Sequence, residues 1–347
     1  MELPLAHGTP PLVGRFRVEP EDFCVEEVLG FDADGSGNHV LLLVEKRDAN
    51  TGWVAAELAR AAGVASRDVG MSGQKDRRAV ARQSFSLPWS VAAPVDACLA
   101  FAGEGYRVLA AQRHGRKLRP GSHRANRFVI RVRDVSGDRA AIEARLQLVG
   151  ARGVPNYFGP QRYGRGQSNL ASARGWAAGG DAPRGRTGRG FALSTARSEL
   201  FNLVLAERVR RGDWNRLLPG EAVILDGRRS FFRADEVDAA LVERCSAMDL
   251  HPSGPLWGRG PLEVRAEALA VEESAVAGEA ALRALLEAEG MDQERRSLRL
   301  PVRSFEWRFD HDSLYMSFEL PRGTFATSVL HEVLQGAWEH AVEDSAV

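Results

Sequence analysis

Strand-like alternation crowds into the two ends of this 347-residue chain, while its middle reads as helices and glycine-arginine loops. Val40-Leu-Leu-Leu-Val44 reads as a buried strand, Val69 to Met71 as a short one that Gly73 breaks, and Gln83–Leu87 and Phe128–Arg133 as half-buried strands. In the last of these Phe128, Ile130 and Val132 point one way and Arg131 and Arg133 the other. Alternation returns only at Ser304–Phe309 and Leu314–Leu320. Between them lie a helix from Asp138 to Val149 built on Ile142, Leu146 and Leu148, helices from about Thr195 to Arg211 and Val271 to Glu289, and a loop at Gly179–Gly190. Strands this far apart must pair across whatever separates them, which predicts one sheet domain interrupted by an inserted domain. Near the start, residues 12–30 read as an irregular entry segment, and Asn50-Thr51 caps a helix running to about Ala62. At the far end Pro321–Thr324 turns into a final helix from Phe325 to about His340.

Composition narrows the function classes. With 44% hydrophobic and 27% charged residues the chain is an ordinary globular protein, long enough for two cores. It holds no run of roughly 18 apolar residues, and its first residues lack a basic, apolar leader, so the expectation is a cytoplasmic protein with no membrane partner. Cys24, Cys98 and Cys245 are scattered and odd in number, which matches neither a disulfide framework nor metal-site spacing. Net charge is zero, yet residues 101–200 hold nineteen Lys/Arg against six Asp/Glu. From Gly105 to Arg133 nine basic residues meet no acid, a segregation that predicts a positive face able to attract phosphate. Only Lys46, Lys75 and Lys117 are lysines among the 46 basic residues, so these three stand out against the arginine background.

Several catalytic signatures fail. Gly73-Gln-Lys75 lacks the spacing of a phosphate loop, and His331-Glu-Val-Leu-Gln335 puts Gln335 where a zinc helix needs its second histidine. No Gly-x-Ser-x-Gly elbow occurs. What remains is one carboxylate, Asp76, in Met71-Ser-Gly-Gln-Lys-Asp-Arg-Arg-Ala79, flanked by Lys75 and Arg77. Neighbouring cations favour an ionised aspartate, a poor proton donor and a plausible nucleophile; a salt-bridged loop carboxylate reads equally well. Phe23, Phe128 close to Asn126, and Phe325 stand beside polar partners, although each ring also suits core packing. A flipped base needs an aromatic face to stack on and an amide to read its edge. The residues alone therefore point to an enzyme acting on a nucleotide in RNA or DNA.

Gly73–Ala79 with Gln83, and Asn156-Tyr-Phe-Gly-Pro-Gln-Arg-Tyr-Gly164, resemble the signatures of the tRNA pseudouridine synthase D (TruD) family, closest to its bacterial members. Pro20–Phe23, Lys117-Leu-Arg with Ala125–Phe128, Ser194–Ser198 with Leu200–Asn202, and Gly323–Ser328 extend the resemblance over nearly the whole chain, in order. It implies an α+β fold in which a catalytic domain with a central mixed, largely antiparallel sheet (residues 1–152 and 303–347) is interrupted by an α/β family-specific domain at about 153–302. It implies an isomerase converting uridine to pseudouridine, at position 13 of tRNA, by base flipping. Asp76 corresponds to the nucleophile, and Phe23, Asn126 and Phe325 to residues that contact the base. Lys75, Gln83, Asn156 and Arg162 belong to the same motifs as supporting residues.

Two departures stand out: Ala81 replaces the usual Thr, losing a hydroxyl, and Tyr163 replaces the commoner Phe. The implied reaction moves uracil from its N1 to its C5 linkage at C1′ with no redox change, so it requires no metal or cofactor. Asp76 either attacks C1′ to give a glycosyl ester or abstracts a sugar proton to give a glycal. The implied partner is tRNA, with no obligate protein partner and a monomeric chain. Competing readings are a non-catalytic RNA-binding protein or tRNA chaperone and a glycosidase or nucleosidase that releases free uracil.

Overall fold

The structure, a computed structural model, describes residues 3–338. In the first part of the chain the strands are β1 (Val13–Phe16), β2 (Phe23–Val28), β3 (His39–Arg47), β4 (Gly70–Met71), β5 (Val80–Pro88), β6 (Ala102–Gly103), β7 (Tyr106–His114) and β8 (Ala125–Ser136), with helix α1 (Thr51–Ala62) after β3. The middle carries α2 (Arg139–Arg152), β9 (Val154–Pro155), α3 (Ser168–Ala177), α4 (Gly185–Arg211), β10 (Glu221–Leu225), β11 (Phe231–Ala234), α5 (Ala239–Ser246) and β12 (Leu250–Leu256). It closes with α6 (Ala266–Ala275), α7 (Ala280–Ala288), β13 (Glu294–Ser297) and β14 (Arg299–Leu300), followed by β15 (Arg303–Asp310), β16 (Ser313–Pro321) and α8 (Ala326–Val333).

Two compact units divide this chain. One comprises Val13–Ser136 and Arg303–Gly323. It is built on a sheet ordered β15-β16-β8-β2-β5-β3-β7-β6, with β1 added to β8 and β4 to β5. Only β2 and β5 run parallel; the remaining pairs are antiparallel, so the sheet is the mixed, largely antiparallel one expected. The chain ends meet at β16–β8, where Leu314 to Pro321 pair residue by residue with Val132 to Ala125. On one face α1 packs Val54, Ala55, Leu58 and Ala59 against Val40, Leu42, Val44, Phe85, Leu87 and Val108. Asn50 starts that helix by accepting from the Gly52 and Trp53 amides, and Gly63 ends it at φ +66°, a left-handed cap that favours glycine.

The other unit takes the segment ending at Leu12, Gly137–Val302 and the chain from Thr324 onward. Its long helix α4 buries Ala196, Leu200 and Val204 with Trp257, Leu282 and Leu286, and an antiparallel sheet ordered β11-β10-β12-β13 packs alongside. Helix α2 belongs to this unit and packs on α8, where the Arg145 guanidinium donates to the Glu332 carbonyl at 2.6 Å. Glu332 itself accepts from the Ala6 and His7 amides, and the ring of His331 stacks on Trp338. The polar face of the failed zinc motif is thus occupied by packing.

Four sequence expectations need correction. The entry segment is not irregular: Phe23–Val28 is a full strand, hidden because its inward position 27 is a glutamate, which the alternation rule reads as outward. The run Gly179–Gly190 is loop only to Arg184, since α4 starts at Gly185, ten residues before the expected Thr195; tertiary packing of the helix further on overrides the weak propensity of its glycines. The span Val271–Glu289 is two helices separated by a tight turn at Ala277–Glu279. The middle also holds strands: β12 contains Pro252, Gly254 and Pro255, residues that lack donors or side chains and so read as breakers. The final helix ends at Val333, and the expected extension to His340 runs past 338, outside the described residues.

Candidate active site

The loop between β4 and β5 carries Asp76 and is held from beneath by buried side chains. Gln83, fully buried on β5, donates its amide to the Gly73 carbonyl at 2.8 Å and accepts from Thr51 Oγ1 at 3.1 Å. Thr51 Oγ1 in turn accepts from the Lys75 amide at 3.1 Å, so the first residue of α1 grips the loop one position before Asp76. Lys46, 1% exposed on β3, donates Nζ to the carbonyls of Ala49 at 2.8 Å, Asp76 at 2.7 Å and Lys75 at 3.4 Å. Burial pulls its ammonium down to about 8, against the opposing pull of the Asp76 carboxylate. Buried polar groups with complete partners fix a loop firmly, because leaving any one of them unpaired costs about 1–3 kcal/mol.

The cations around Asp76 are not the ones its sequence neighbours suggested. Lys75 turns inward to Glu27 on β2, Nζ to Oε2 at 2.8 Å, with both side chains buried. Arg77 reaches Asp48 at 3.6 Å on the surface. The guanidinium that meets the Asp76 carboxylate is Arg17, Nη2 to Oδ2 at 2.6 Å. Arg17 is 4% exposed in its side chain and Asp76 38%, so a buried cation presents a carboxylate that solvent or substrate can still reach. Lys75 and Arg77 are drawn to Glu27 and Asp48 instead, whereas Arg17, at a positive φ of 57° just after β1, reaches the Asp76 carboxylate.

The other residues of the motif set fall into place around this pair. Asp22 is buried, accepts from the Glu19 amide and from Arg133 Nε at 2.9 Å, and so pins the short turn that delivers Phe23. Phe23 is 1% exposed; Arg17 lies 4.0 Å over its ring and Phe128 meets it edge-on at 5.8 Å. Asn126 on β8 pairs across to Glu27, the partner of Lys75. Its Nδ2 lies 3.4 Å from His123 Nε2, while its Oδ1 and His123 Nδ1 are buried with no hydrogen-bond partner. Burial first, then the charge of Lys75, holds the His123 imidazole below its ordinary value.

Phe325, Asn156 and Arg162 lie in the other unit. Asn156 is buried and structural: Nδ2 donates to the Ser297 carbonyl at 2.8 Å and Oδ1 accepts from Arg296 at 2.6 Å. Arg162 donates to Ser194 Oγ at 2.8 Å and lies 5.3 Å over the Phe158 ring, and burial lowers its guanidinium from the ordinary value. Phe325, half-buried immediately before α8, lines a cavity of about 240 Å³ together with Gly159, Arg162, Asn169, Phe191 and Thr327. Sequence reasoning missed Arg17, Glu27, Thr51 and His123. Only Lys46 carried a signal, as one of three lysines in an arginine-rich chain. Among the described residues no three His, Cys, Asp or Glu side chains gather around a common point as metal ligands do.

Of the nine cations between Arg107 and Arg133, most already have partners. Arg107 bonds Glu45, Arg124 pairs with Glu319, Arg131 bonds Ser313, Arg133 bonds Asp22 and Glu19, and Arg113 and Lys117 donate to carbonyls. Arg116, Arg119 and Arg127 remain, exposed and without an ion pair among the described residues.

A family model for tRNA pseudouridine synthase D (TruD) matches residues 3–172 and 189–333. The chain belongs to that family. The unmatched stretch covers the second half of α3, the loop after it and the first turn of α4. A tRNA pseudouridine synthase D of Nitrosococcus oceani is 47% identical over 94% of this chain and 92% of its own length. One of Methylococcus capsulatus is 45% identical over 96% and 94%. The fold is also that of a Methanosarcina mazei protein assigned to TruD, whose crystal structure superposes with a TM-score of 0.71 at 18% identity, covering 96% of this chain and 98% of the other. No helix among the described residues of this TruD member is long and apolar enough to cross a membrane.

Proposed function

We propose that this TruD-family chain isomerises uridine to pseudouridine in tRNA, at position 13, with Asp76 as the nucleophile. The observation that carries the reading is the Asp76–Arg17 pair: a partly exposed carboxylate, 2.6 Å from a buried guanidinium, on a loop whose backbone Gln83, Thr51 and Lys46 hold. Arg17 fixes which oxygen is engaged, Oδ2, and leaves the other for the sugar. In the reaction the C1′–N1 bond breaks, uracil rotates, a C1′–C5 bond forms, the C5 proton departs and N1 gains one. The glycosyl-ester and glycal routes both use this carboxylate at C1′ or on the neighbouring sugar carbon.

The target base must leave its stack, which costs a few kcal/mol. Asn126, with its unpaired carbonyl beside His123, is suited to read a uracil edge; for Phe325, in the other unit, a base-contacting role rests on the family motif alone. Phe23 acts from below, supporting Arg17 through ring contact at 4.0 Å, and Lys75 acts through Glu27 on the Asn126 strand pair. In this reading the sheet unit is the catalytic part of the family fold, the middle of the chain, at about 153–302, is its inserted domain, and the chain works as a monomer in the cytoplasm. The test is pseudouridine mapping of tRNA treated with wild type, Asp76→Asn and Asp76→Ala. Conversion at position 13 by wild type alone is expected. Free uracil as product, or conversion that survives Asp76→Asn, overturns the reading.

A further inference from the structure

Phe191 stands on the first turns of α4 with 56% of its surface exposed, more than any other phenylalanine or tryptophan among the described residues. It lines the rim of the cavity that holds Arg162 and Phe325. At 3.6 residues per turn, Ser194 and Thr195 share its helix face one turn on. Both are tied to the cavity floor: Ser194 Oγ accepts from Arg162 Nη1 at 2.8 Å, and Thr195 Oγ1 donates to the Arg162 carbonyl at 3.0 Å. The helix that presents Phe191 is therefore locked to the arginine beneath it. Arg162 has no carboxylate partner among the described residues although it is half-buried.

The surroundings are positive and bare. From Arg162 to Arg197 seven arginines face one acid, Asp181. Arg184, Arg186 and Arg189, at the start of α4, are exposed and form no ion pair among the described residues. Gly185 lies between the first two and Gly190 follows the third, and a Cβ built at either meets nothing within 4 Å, so a sugar-phosphate chain can approach the helix closely there. A cavity of about 240 Å³, below the roughly 300 Å³ of drug-sized sites, has room for a group of about one base. An exposed aromatic face, unpaired arginines and a single-base cavity are the physical parts of a site for unpaired nucleic acid.

We propose that Phe191 stacks on an unpaired nucleobase of the RNA substrate, with Arg162 facing it in the cavity and Arg184, Arg186 and Arg189 on the phosphates. This rests on the reading of the substrate as RNA. The experiment measures tRNA affinity of the full chain by fluorescence anisotropy, without turnover, for wild type, Phe191→Ala, Phe191→Leu and Phe191→Trp. Stacking on an aromatic side chain is worth about 1–3 kcal/mol per base, so both Ala and Leu lose roughly 5- to 150-fold in affinity while their melting temperatures stay at the wild-type value. Phe191→Trp retains affinity and gains a tRNA-dependent quenching of indole emission beyond any shown by the seven native tryptophans of wild type. The triple variant Arg184→Ala/Arg186→Ala/Arg189→Ala binds with a salt slope lower by about 2 at roughly 0.7 per contact. Wild-type affinity in Phe191→Leu, or emission in Phe191→Trp that tRNA leaves unchanged, overturns the site. If wild type makes no pseudouridine while affinity still depends on Phe191, the isomerase reading falls and the stacking site stands.

Discussion

The Asp76 loop and the Phe191–Arg162 cavity are built on opposite plans. Around Asp76 nearly every polar group is buried and partnered: Lys46 with three carbonyls, Gln83 and Thr51 with the loop backbone, Lys75 with Glu27. Around Phe191 the ring is exposed, the arginines are unpaired and the glycines leave open space. The first plan holds one carboxylate oxygen in place, which bond-making at a sugar carbon requires. The second presents sticky, adaptable surface, which suits holding a flexible polymer. The difference teaches where rigidity is needed in such a chain and where it is dispensable.

The largest effect that would break this contrast is loss of the carboxylate. Asp76→Asn is expected to lower turnover by about 10⁴ or more, the scale seen when a catalytic nucleophile is removed, with tRNA affinity unchanged in a direct binding assay. Retained turnover would mean that the rigid loop serves something other than chemistry. Next, Arg17→Met takes the guanidinium from Oδ2 and from the Phe23 ring together. A fall of about 10²–10³ in kcat is expected, the usual consequence of deleting one preorganised charge contact, and single-turnover kinetics at saturating tRNA would read it.

The Lys75–Glu27 pair sharpens the comparison through stability. Both side chains are buried, so Glu27→Gln leaves a buried ammonium uncompensated and is expected to cost about 3–5 kcal/mol in urea unfolding. Substituting Arg189, on the other plan, should stay within about 0.5 kcal/mol. Lys46 yields a pH signature. Its ammonium titrates at about 8 in the folded chain against an ordinary 10.5, so between those values the folded state binds fewer protons than the unfolded one. Stability contributed by this residue therefore rises as pH climbs through that window. The stability of wild type minus that of Lys46→Met should grow from pH 8 to pH 10, and a flat difference would show that Lys46 is not buried as described. The smallest effect is on the sheet unit's surface. Replacing Arg116, Arg119 and Arg127 by Ala should lower the salt slope of tRNA binding by about 2 and leave kcat at saturation intact.

Legibility in the sequence followed the same divide. Alternation in Phe128–Arg133 and Leu314–Leu320 predicted strands that do pair, and the Asn50 cap of α1 is present as read. Strand β2 was missed because Glu27 sits at an inward position, made tolerable by Lys75 from 48 residues away and by the Ser84 amide from the neighbouring strand. Helix α4 was read ten residues short because Gly185, Gly188 and Gly190 argue against a helix that its packed C-terminal half then propagates. The partners of Asp76 were misread for a related reason: sequence proximity suggested Lys75 and Arg77, while the fold supplied Arg17 and the backbone grip of Lys46.

By itself the sequence determined the family, the sheet-forming ends, and a single carboxylate between glycine and arginine as the residue to examine, since motifs and short-range periodicity are local properties. Only the tertiary structure decided which cation meets Asp76, that Lys75 is committed to a buried pair, that Phe23 is covered while Phe191 is bare, and which three of nine cations stay unpaired. Those are outcomes of burial and of contacts between residues tens to hundreds of positions apart. Burial and distance arise when the chain closes on itself, and no local pattern encodes them.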